Sequence, residues 1–600
     1  MSTSTSSHRN VATRPYSGFP AAHPVSATGA RVVVETMERL GVRIVFGRGG
    51  SHTRTICEQL ESSGSLRRVV TCHEQGAGHA AAGYALASGD VGVCIADAGH
   101  GVLNLVTALA DAHLDSVPVV AVIGHASRRS SGCGVSEEID VVSLTMPFTK
   151  HHILVTDPAE IGTALADAFY LAGSGRPGAV VVSIPEDILR APAPGNQARR
   201  RALKGYRINT RPSLPAIRAA VELIQHSSAP VLYVGGGVVK ANASEELTQL
   251  AELTGIPVVT TLMARGAFPD GHRLHYGMPG MHGTVAAVAA LQRSDLLIAL
   301  GARFDDRVTG QLSTFAPRAR VIHVDIDPAE IGKNRAVDVA VTADCKPAIR
   351  ALTETLTLAE SLDFTSWRGY LESMRAAYPI GYSRPGDGSL SPQLVIETVG
   401  RTAGPNAIFT SGVGQHQMWA AHYINFTEPR RWLNSGGMGT MGYAIPAALG
   451  AKARHPDSEV WAIDGDGCFQ MTCRELATAA TENLPIKVAL INNGNLGMVK
   501  QLQAVHYDGR YSQVDLATHS RRIPDFVALA EGLGCVALRC DREADVAQTI
   551  AEAQRVTDRP VVIDFIVNDD TLVWPMVAAG ISNDHVMAAW GVRPLFTDAD

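Results

Sequence analysis

Short apolar runs alternate with longer stretches whose apolar positions recur at helical spacing from Ala30 to about residue 570. Apolar runs of this kind are typical of buried strands, and strands that alternate with helices favour a parallel sheet covered by helices on both faces. The runs form three groups, which lie at 43–124, 230–326 and 407–567. The pattern therefore predicts an α/β protein with three doubly wound parallel-sheet domains.

Two irregular segments separate these groups, and both lack periodic apolar positions. The first is rich in Pro, Gly and Arg, and the second contains the run YPIGYSRPGDGSLSP. Such composition favours loops and linkers. We therefore predict a disordered leader at 1–29, domains at 30–190, 213–360 and 393–570, linkers at 191–212 and 361–392, and a C-terminal tail at 571–600.

The leader is rich in Ser, Thr, Ala and Arg, and the first acidic residue of the chain is Glu35. Because the leader has no apolar core, it does not match a secretory signal. A disordered tail is the simpler interpretation, and an organellar transit peptide of similar composition remains open. No apolar run approaches the ~20 residues that cross a membrane. Nine cysteines without a CxxC pair favour reduced thiols and a cytoplasmic location.

The first and third groups share a spacing. Asp97 and Asp464 each end an apolar run, Pro118 and Pro485 each open the next one, and both pairs are offset by 367 residues (464 − 97 and 485 − 118). Two homologous modules would produce this match, and so would the common length of any βαβ unit.

The composition of the chain excludes some classes of function. Lys and Arg number 52 against 58 Asp and Glu, so the net charge is −6 and no basic stripe exists for a nucleic acid. Aromatic residues at 6% are too sparse for a base-stacking platform. The 57 glycines indicate many sites where the backbone turns tightly or approaches a ligand.

Polar residues follow two of the strands predicted in the third group. The run DGDGCFQM places Asp466 in a glycine-flanked loop before a helix, and the next strand ends at Asn492 and Asn493. One carboxylate with neutral oxygens suits Mg²⁺ bound to a phosphate, and the helix N-terminus favours the anion. A calcium-binding EF-hand is excluded, because Cys468 and Phe469 occupy positions that require a ligand and a glycine.

Two weaker signals accompany this site. Residues 437–442 satisfy GxGxxG, but no strand precedes them, which disfavours binding of a nicotinamide dinucleotide. Glu74 begins a helix of small residues, where a carboxylate would ordinarily serve only to complement the helix dipole.

Together these motifs resemble the thiamine-diphosphate (ThDP) enzymes, and among them the catalytic subunit of acetolactate (acetohydroxyacid) synthase. The resemblance covers about residues 30–585. It is carried by HEQGAGHAAAGYA (73–85), NLVTALADAHLDSVPVVAVIG (104–124), GMPGMHGT (277–284), LGARFDDRVTG (300–310), GVGQHQMWAA (412–421) and SGGMGTMGYAIPAALGAK (435–452).

The resemblance implies three domains: a pyrimidine-binding, a central FAD-binding and a diphosphate-binding domain. Glu74 would bind the pyrimidine of ThDP, Met441 would force its bent conformation, and the Gly439 carbonyl would accept from its amino group. Mg²⁺ would be held by Asp466, Asn493 and the carbonyl of Asn495. The other implied ThDP-binding positions are Gln415, His416, Gly465, Gly467, Gly497 and Met498. The implied FAD-binding positions are Arg176, Gly235, Gly236, Thr261, Leu262, Met263, His282, Gly301, Arg303, Asp325, Ile326 and Asp344.

The implied reaction decarboxylates pyruvate and joins the two-carbon unit to a second 2-keto acid, a transferase step of branched-chain amino-acid biosynthesis. Arg307 would hold the acceptor's carboxylate, and Lys150 would lie at the mouth of the same pocket. Such enzymes are homodimers or tetramers with active sites at the subunit interface. A small regulatory subunit is a further candidate partner.

The sequence departs from the family at the positions that line the acceptor pocket. Leu502 replaces a tryptophan associated with preference for 2-ketobutyrate, and Glu137 replaces a glutamine. The other departures are Ser51, His52, His100, Ser127, Val135 and Ser136. They are compatible with drift, with altered inhibitor tolerance, or with a carboligase that uses another donor or acceptor. A silent binding subunit, an NAD dehydrogenase and a pyruvate oxidase are the remaining alternatives.

Overall fold

The computed structural model describes residues 27–130, 132–134, 137–194, 203–358, 362–516 and 523–596. Within these ranges the chain forms three separate parallel sheets, each flanked by helices. The predicted fold class is therefore confirmed, and each of the predicted apolar runs contains a strand. Within the described residues no helix is long and apolar enough to cross a membrane.

The first domain contains a six-stranded sheet of order β2-β1-β3-β4-β6-β5. Its central strands are rich in β-branched residues and are buried on both faces, as expected for a parallel sheet covered by helices. The strands are β1 (Ile44–Phe46), β2 (Arg67–Val69), β3 (Gly92–Asp97), β4 (Val119–His125), β5 (His151–Leu154) and β6 (Ala179–Pro185). The helices are α1 (Gly29–Arg39), α2 (Arg54–Glu61), α3 (Glu74–Ser88), α4 (His100–Leu114), α5 (Val141–Thr145), α6 (Ile161–Gly173) and α7 (Glu186–Arg190).

The central domain contains a five-stranded sheet of order β8-β7-β9-β10-β11, in which the strand order reverses between β7 and β9. The strands are β7 (Pro230–Val234), β8 (Val258–Thr260), β9 (Leu296–Leu300), β10 (Arg320–Asp325) and β11 (Val339–Thr342). The helices are α8 (Leu214–Gln225), α9 (Gly236–Lys240), α10 (Ser244–Thr254), α11 (Val285–Gln292), α12 (Asp306–Thr309), α13 (Cys345–Thr357) and α14 (Thr365–Ala377).

The third domain contains a six-stranded sheet of order β13-β12-β14-β15-β17-β16. The strands are β12 (Ile408–Ser411), β13 (Trp432–Asn434), β14 (Val460–Gly465), β15 (Lys487–Asn492), β16 (Val536–Cys540) and β17 (Val561–Ile566). The helices are α15 (Pro392–Ala403), α16 (Gln415–Tyr423), α17 (Ala444–Arg454), α18 (Asp466–Thr472), α19 (Glu475–Thr481), α20 (Gly497–His506), α21 (Phe526–Gly532) and α22 (Val546–Arg555).

The two outer sheets have the same strand order when each is numbered from its own first strand, 2-1-3-4-6-5. Asp97 ends the third strand of the first sheet, and Asp464 is the last residue but one of the third strand of the other. The shared topology favours two homologous modules over a chance match of βαβ lengths.

Two segments that the sequence analysis predicted as a linker and a tail, 361–392 and 571–600, contain residues that pack against the domains. The segment at 361–392 contains α14, whose Trp367 is buried in the central core and donates from Nε1 to the carbonyl of Pro230 at 3.0 Å. The segment after β17 returns over two domains. In it Val577 donates to the carbonyl of Met281 at 2.6 Å, and the carbonyl of Ile581 accepts from the amide of Gln311 at 3.0 Å. These contacts show a packed strap instead of a free tail.

Helices α3 and α17 bring the first and third domains of one chain into direct contact. A Cβ atom on Gly83 would overlap the backbone of Ala447, and a Cβ on Gly450 would overlap the carbonyl oxygen of Ala80 and lie 2.6 Å from the amide nitrogen of Tyr84. Only glycine permits backbones to approach this closely. The small residues of both helices therefore set the distance between the two domains.

We expect Gly450→Ala to lower the melting temperature of the protein, because the added methyl group must force α3 and α17 apart. Overpacking of this kind costs about 1–3 kcal/mol. The matched control is Gly369→Ala in the exposed face of α14, where a Cβ meets no atom within 4 Å. Alanine should raise helix stability there by about 1 kcal/mol. Equal melting temperatures for both variants would contradict the role of Gly450.

Candidate active site

A cleft opens at the carboxyl edge of the third sheet, where β12, β14 and β15 end side by side. It brings together the residues predicted to bind ThDP and the metal, apart from Gly439 and Glu74. The lining residues are Val413, Gly414, Gln415, His416, Trp419, Met441, Gly465, Asp466, Gly467, Cys468, Ile491, Asn493, Asn495, Leu496, Gly497, Met498 and Val499.

The three strands each lead into a helix that starts at this cleft. Helix α16 begins at Gln415, α18 begins at Asp466, and α20 begins at Gly497. Their free backbone N–H groups and dipoles favour an anion at the point where the helices meet. A Cβ on Gly497 would overlap the side-chain amide of Gln415, and a Cβ on Gly465 would lie 2.7 Å from Nδ1 of His416. The two glycines therefore keep the floor of the cleft open.

Asp466 offers one free carboxylate oxygen to this cleft. Its Oδ1 accepts from the amide of Gly467 at 3.0 Å, whereas its Oδ2 is buried without a hydrogen-bond partner among the described residues. Burial raises the pKa of this carboxyl group to about 7. A buried, unpartnered carboxylate is costly unless a cation neutralises it. The residue therefore fits a hard divalent cation.

Neutral oxygens lie beside Asp466. The side chain of Asn493 accepts from the amide of Asn495 at 3.1 Å and donates to Oε1 of Gln415 at 3.4 Å, while the side chain of Asn495 donates to the carbonyl of Asn493 at 2.8 Å. One carboxylate with amide oxygens and room for phosphate oxygens is the donor set that Mg²⁺ prefers. The residues present therefore fit the predicted magnesium site.

Nitrogen and sulfur atoms of His416 and Cys468 lie close to the predicted magnesium site. Nε2 of His416 lies 3.8 Å from Oδ1 of Asp464, and the thiol of Cys468 donates to the carbonyl of Val413 at 3.1 Å. Burial lowers the pKa of His416 to about 3, so the imidazole is neutral. A neutral imidazole provides one N–H donor for an anion above it.

Met441 and Gly439 lie in the loop between β13 and α17. Met441 lines the cleft, and its terminal methyl lies 3.5 Å from the position of a Cβ on Gly467. Gly439 has a φ of 73°, and a Cβ there would meet only the Val413 side chain at 3.7 Å. The backbone of Gly439 is therefore accessible, in a conformation that favours glycine.

Glu74 is the first residue of α3, as predicted, and it lies in the first domain. Its Oε2 accepts from the side-chain amide of Asn104 on α4 at 3.0 Å. Among the described residues, Glu74 does not line the cleft of its own third domain. Within one chain the predicted pyrimidine-binding carboxylate and the predicted metal site are therefore separate.

Glu475 is a structural residue of this region that the motif analysis missed. Its carboxylate is completely buried and accepts from the amides of Cys72 at 3.1 Å and His73 at 3.0 Å. Burial raises its pKa. Because it lies on α19, it fixes the segment before Glu74 to the third domain of the same chain.

The other predicted cofactor residues gather at the carboxyl edge of the central sheet, at the point where the strand order reverses. Gly235 and Gly236 follow β7, and Gly301 follows β9. A Cβ on Gly235 would overlap the carbonyl oxygen of Gly301, which leaves a cradle of bare backbone. Reversal points of this type bind nucleotides in open α/β sheets. The residues present therefore fit a dinucleotide such as FAD.

The other predicted FAD-binding residues surround the same edge. Asp325 ends β10, and burial raises its pKa to about 6. Asp344 caps α13 through Oδ1, which accepts from the amide of Lys346 at 2.9 Å. Thr261 follows β8, and Ile326 follows β10. The carbonyl of Leu262 accepts from Nε1 of Trp432, the Met263 side chain packs beside Gly436, and Nη1 of Arg303 donates to the carbonyl of Leu114.

Arg176 and His282 reach the central domain from two sides. Nη1 of Arg176 lies 2.6 Å from Glu330 and 3.2 Å from Asp327, which joins the first domain to the loop after β10. Nδ1 of His282 lies 3.2 Å from the carbonyl of Pro575, whereas its buried Nε2 has no partner within the described ranges. Burial lowers the pKa of His282 to about 4.

The first-domain departures from the family lie at one edge of the first sheet. The amide of His52 donates to Oδ2 of Asp97 at 2.8 Å, and Oγ of Ser51 lies 3.5 Å from the same oxygen. Nδ1 of His100 lies 3.4 Å from Oε1 of Glu137, and both side chains are solvent-exposed. Val135 and Ser136 lie outside the described residues. The structure therefore brings Ser51, His52, His100 and Glu137 to one surface.

The prediction for Lys150 is corrected. Its Nζ donates to the carbonyls of Leu171 and Ser174 at 2.6 Å and of Arg176 at 2.8 Å, and it lies 2.8 Å from the hydroxyl of Tyr206. Burial lowers its pKa to about 8. An ammonium group has three protons, and backbone acceptors at the end of α6 use them. Lys150 is therefore a structural cap and is not available at the mouth of a pocket.

Arg307 and Leu502 lie apart from these residues. Arg307 is exposed on α12, and its Nη1 contacts Sδ of Met281 at 3.8 Å. Leu502 is half-buried on α20, one turn beyond Met498 of the cleft. Within one chain the predicted acceptor residues thus belong to three different domains.

We expect binding of Mg²⁺ together with diphosphate to weaken as the pH falls below about 7, the pKa of Asp466 in the metal-free protein. The cation binds only the ionised carboxylate, so the apparent dissociation constant should rise by up to about tenfold per pH unit. Calorimetric titrations at pH 6 and pH 8 would measure this change. Proton release at pH 6 should accompany binding, and a pH-independent affinity would contradict the assignment.

The chain matches sequence models of the N-terminal, central and C-terminal domains of thiamine pyrophosphate enzymes over residues 27–144, 217–352 and 412–565. It is 59% identical over 574 residues to the acetolactate synthase large subunit IlvB1 of Mycobacterium tuberculosis, which covers 95% of this chain and 93% of the relative.

A second bacterial relative is the acetolactate synthase large subunit of Corynebacterium glutamicum, with 56% identity over 578 residues, or 96% of this chain and 92% of the relative. Chloroplastic acetolactate synthase 1 of Zea mays is 44% identical over 560 residues, or 92% and 87%. The chain therefore belongs to the family of thiamine-diphosphate-dependent acetolactate synthase catalytic subunits.

Proposed function

We propose that the chain is an acetolactate synthase, which decarboxylates pyruvate and joins the two-carbon unit to a second 2-keto acid. The cleft of the third domain carries this proposal, because the unpartnered oxygen of buried Asp466 lies among amide oxygens and three helix N-termini. Full-length relatives of 56–59% identity bear the same activity in their names. When bound, thiamine diphosphate supplies the electron sink for loss of CO₂.

Different residues of the cleft bind different parts of the cofactor. Asp466, Asn493 and the carbonyl of Asn495 hold Mg²⁺. Neutral His416 and the backbone N–H of Gln415 donate to the diphosphate, since the side-chain amide of Gln415 already donates to Gln501 and to the carbonyl of Thr571. Gly465, Gly467, Gly497 and Met498 keep the backbone close to it. Met441 and Gly439 contact the pyrimidine end of the cofactor.

In this proposal Glu74 holds the proton that is shared with the pyrimidine ring of the cofactor. Asn104 donates to one oxygen of its carboxylate and thereby orients the other oxygen. A carboxylate so placed holds a proton against a ring nitrogen of the pyrimidine and polarises that ring. Because Glu74 lies away from the cleft of its own chain, we propose that it serves the cofactor of a second copy. The active unit is then a homodimer or tetramer with active sites at the interface.

The central domain holds FAD in this proposal. The glycine cradle of Gly235, Gly236 and Gly301 receives the pyrophosphate, with Arg176, Arg303, Asp325 and Asp344 around it. Because the net reaction transfers no electrons, the role of the flavin is structural. We also propose a cytoplasmic location and a small regulatory subunit as partner.

The acceptor 2-keto acid meets Arg307, whose exposed guanidinium suits the planar carboxylate. Leu502 offers less apolar surface than an aromatic side chain at the same place. Glu137 lies at the first-domain edge beside His100, whose Nδ1 is 3.4 Å from Oε1 of the carboxylate. We propose that Ser51, Glu137 and Leu502 adjust acceptor preference.

We expect Glu74→Gln to lower the rate of acetolactate formation by at least about 10²-fold, because the amide cannot accept and return the proton. ThDP affinity, measured by titration of the apoprotein, should change little. The exposed Glu245→Gln on α10 is the matched control and should keep the wild-type rate. Wild-type turnover by Glu74→Gln would refute the assignment.

We expect Leu502→Trp to raise the preference for 2-ketobutyrate over pyruvate as acceptor. One additional buried methyl group contributes ~0.8 kcal/mol, which corresponds to about a fourfold change in product ratio. The ratio is measured by mass analysis of products from mixed substrates. The control Leu502→Met conserves the side-chain volume and should keep the wild-type product ratio. An unchanged product ratio in Leu502→Trp would show that residue 502 does not contact the acceptor.

A further inference from the structure

The loop that carries Met441 and Gly439 has a composition that cannot maintain one conformation by itself. This wedge loop, residues 435–442, contains four glycines in the sequence SGGMGTMG. Gly439 and Gly442 adopt φ angles of 73° and 87°. Glycine has the largest conformational entropy of any residue, so the loop must be held from outside.

Asp115 holds the first half of the wedge loop. It caps the C-terminal end of α4, and its side chain is 6% exposed. Its Oδ1 accepts from the amide of Gly437 at 2.6 Å, and its Oδ2 accepts from the amide of Gly436 at 3.0 Å. One carboxylate thus fixes two successive peptide groups.

Asp111 holds the second half of the loop from one turn earlier on α4. Its Oδ1 accepts from the hydroxyl of Thr440 at 2.8 Å and also from the hydroxyl of Ser435. Oγ of Ser435 in turn accepts from the amide of Thr440 at 2.9 Å. Ser435, at the start of the loop, and Thr440, in its second half, are therefore held by the same carboxylate.

This arrangement is unfavourable for α4 itself. Two carboxylates four residues apart repel each other, and both lie at the helix end where the dipole favours cations. Burial raises the pKa of each carboxyl group to about 6. Lys240 of the central domain, a cation, lies near Asp115, whereas the imidazole that lies 3.7 Å from Oδ2 of Asp111, that of His79, is neutral. Stability alone does not favour such a pair.

We propose that Asp111 and Asp115 are positioning residues, which hold the wedge loop so that Met441 and Gly439 face the cofactor. This inference rests on the proposed function, since it assumes that ThDP occupies the cleft. The carboxylates belong to the first domain and the loop to the third. The first domain of a chain therefore shapes the cofactor site of the same chain, although its Glu74 does not line that site.

The decisive variant is Asp115→Asn, which keeps the size of the side chain but turns a donor toward one of the two glycine amides. Titrations of the apoprotein in Mg²⁺ would compare ThDP with inorganic diphosphate as ligands. We expect ThDP affinity to fall by about tenfold, the loss of one charged hydrogen bond. Inorganic diphosphate, which reaches only the helix N-termini, should bind within about twofold of wild type. The near-ultraviolet circular dichroism of bound ThDP should also decrease.

A milder variant and a control keep the test informative if Asp115→Asn folds poorly. Ser435→Ala removes only the hydroxyl that links Asp111 to Thr440, and it should weaken ThDP binding by a few fold. Glu246→Gln removes a buried carboxylate that pairs with Arg350 at 2.7 Å in the central domain, and it should leave both affinities unchanged.

The outcomes separate this inference from the proposed function. Wild-type protein that neither binds ThDP nor forms acetolactate would refute the proposed function. Wild-type protein that does both, with unchanged ThDP affinity in Asp115→Asn and Ser435→Ala, would overturn the positioning role. An equal loss of ThDP and inorganic diphosphate binding would also overturn it, because it would indicate general collapse of the cleft.

Discussion

The close contact between α3 and α17 determines how the rest of the chain is assembled. Because Gly83 and Gly450 allow the two backbones to touch, the first domain lies directly against the third. That contact lets Glu475 of the third domain bind the amides before Glu74, and lets Asp111 and Asp115 of the first domain bind the loop before α17. A larger side chain at either glycine would separate the domains and loosen both sets of hydrogen bonds at once.

Buried carboxylates are the second feature that links structure to chemistry. Each of them costs free energy unless it is neutralised or hydrogen-bonded. Glu475, Asp111 and Asp115 are satisfied by backbone amides and hydroxyls, so they act on conformation. Asp466 keeps one oxygen without a partner among the described residues, and it therefore points to a cation. The same chemical group thus serves two different purposes, and the position of Asp466 in the cleft distinguishes it from the other three.

Much of the fold follows from local patterns in the sequence. The central strands were recognisable because both of their faces are buried, which makes them short continuous apolar runs. Edge strands such as β2 and β5 were not recognisable, because exposed polar residues such as Arg67 and His151 interrupt the apolar pattern. The sequence analysis placed helix α14 in a linker. Its buried residues are Trp367 and Leu371, and two buried positions are too few to produce a recognisable helical pattern of apolar residues.

The sequence alone determined the three parallel sheets, the family and the cleft at the end of β12, β14 and β15, because parallel strands deliver their following residues to one edge. Only the tertiary structure decided which side chains remain available there. It showed that backbone carbonyls cap Lys150, and that Glu74 does not line the cleft of its own chain. It also showed that Glu475, Asp111 and Asp115 join domains. The roles of Glu475, Asp111 and Asp115 depend on contacts between residues more than 300 positions apart, which no local pattern encodes.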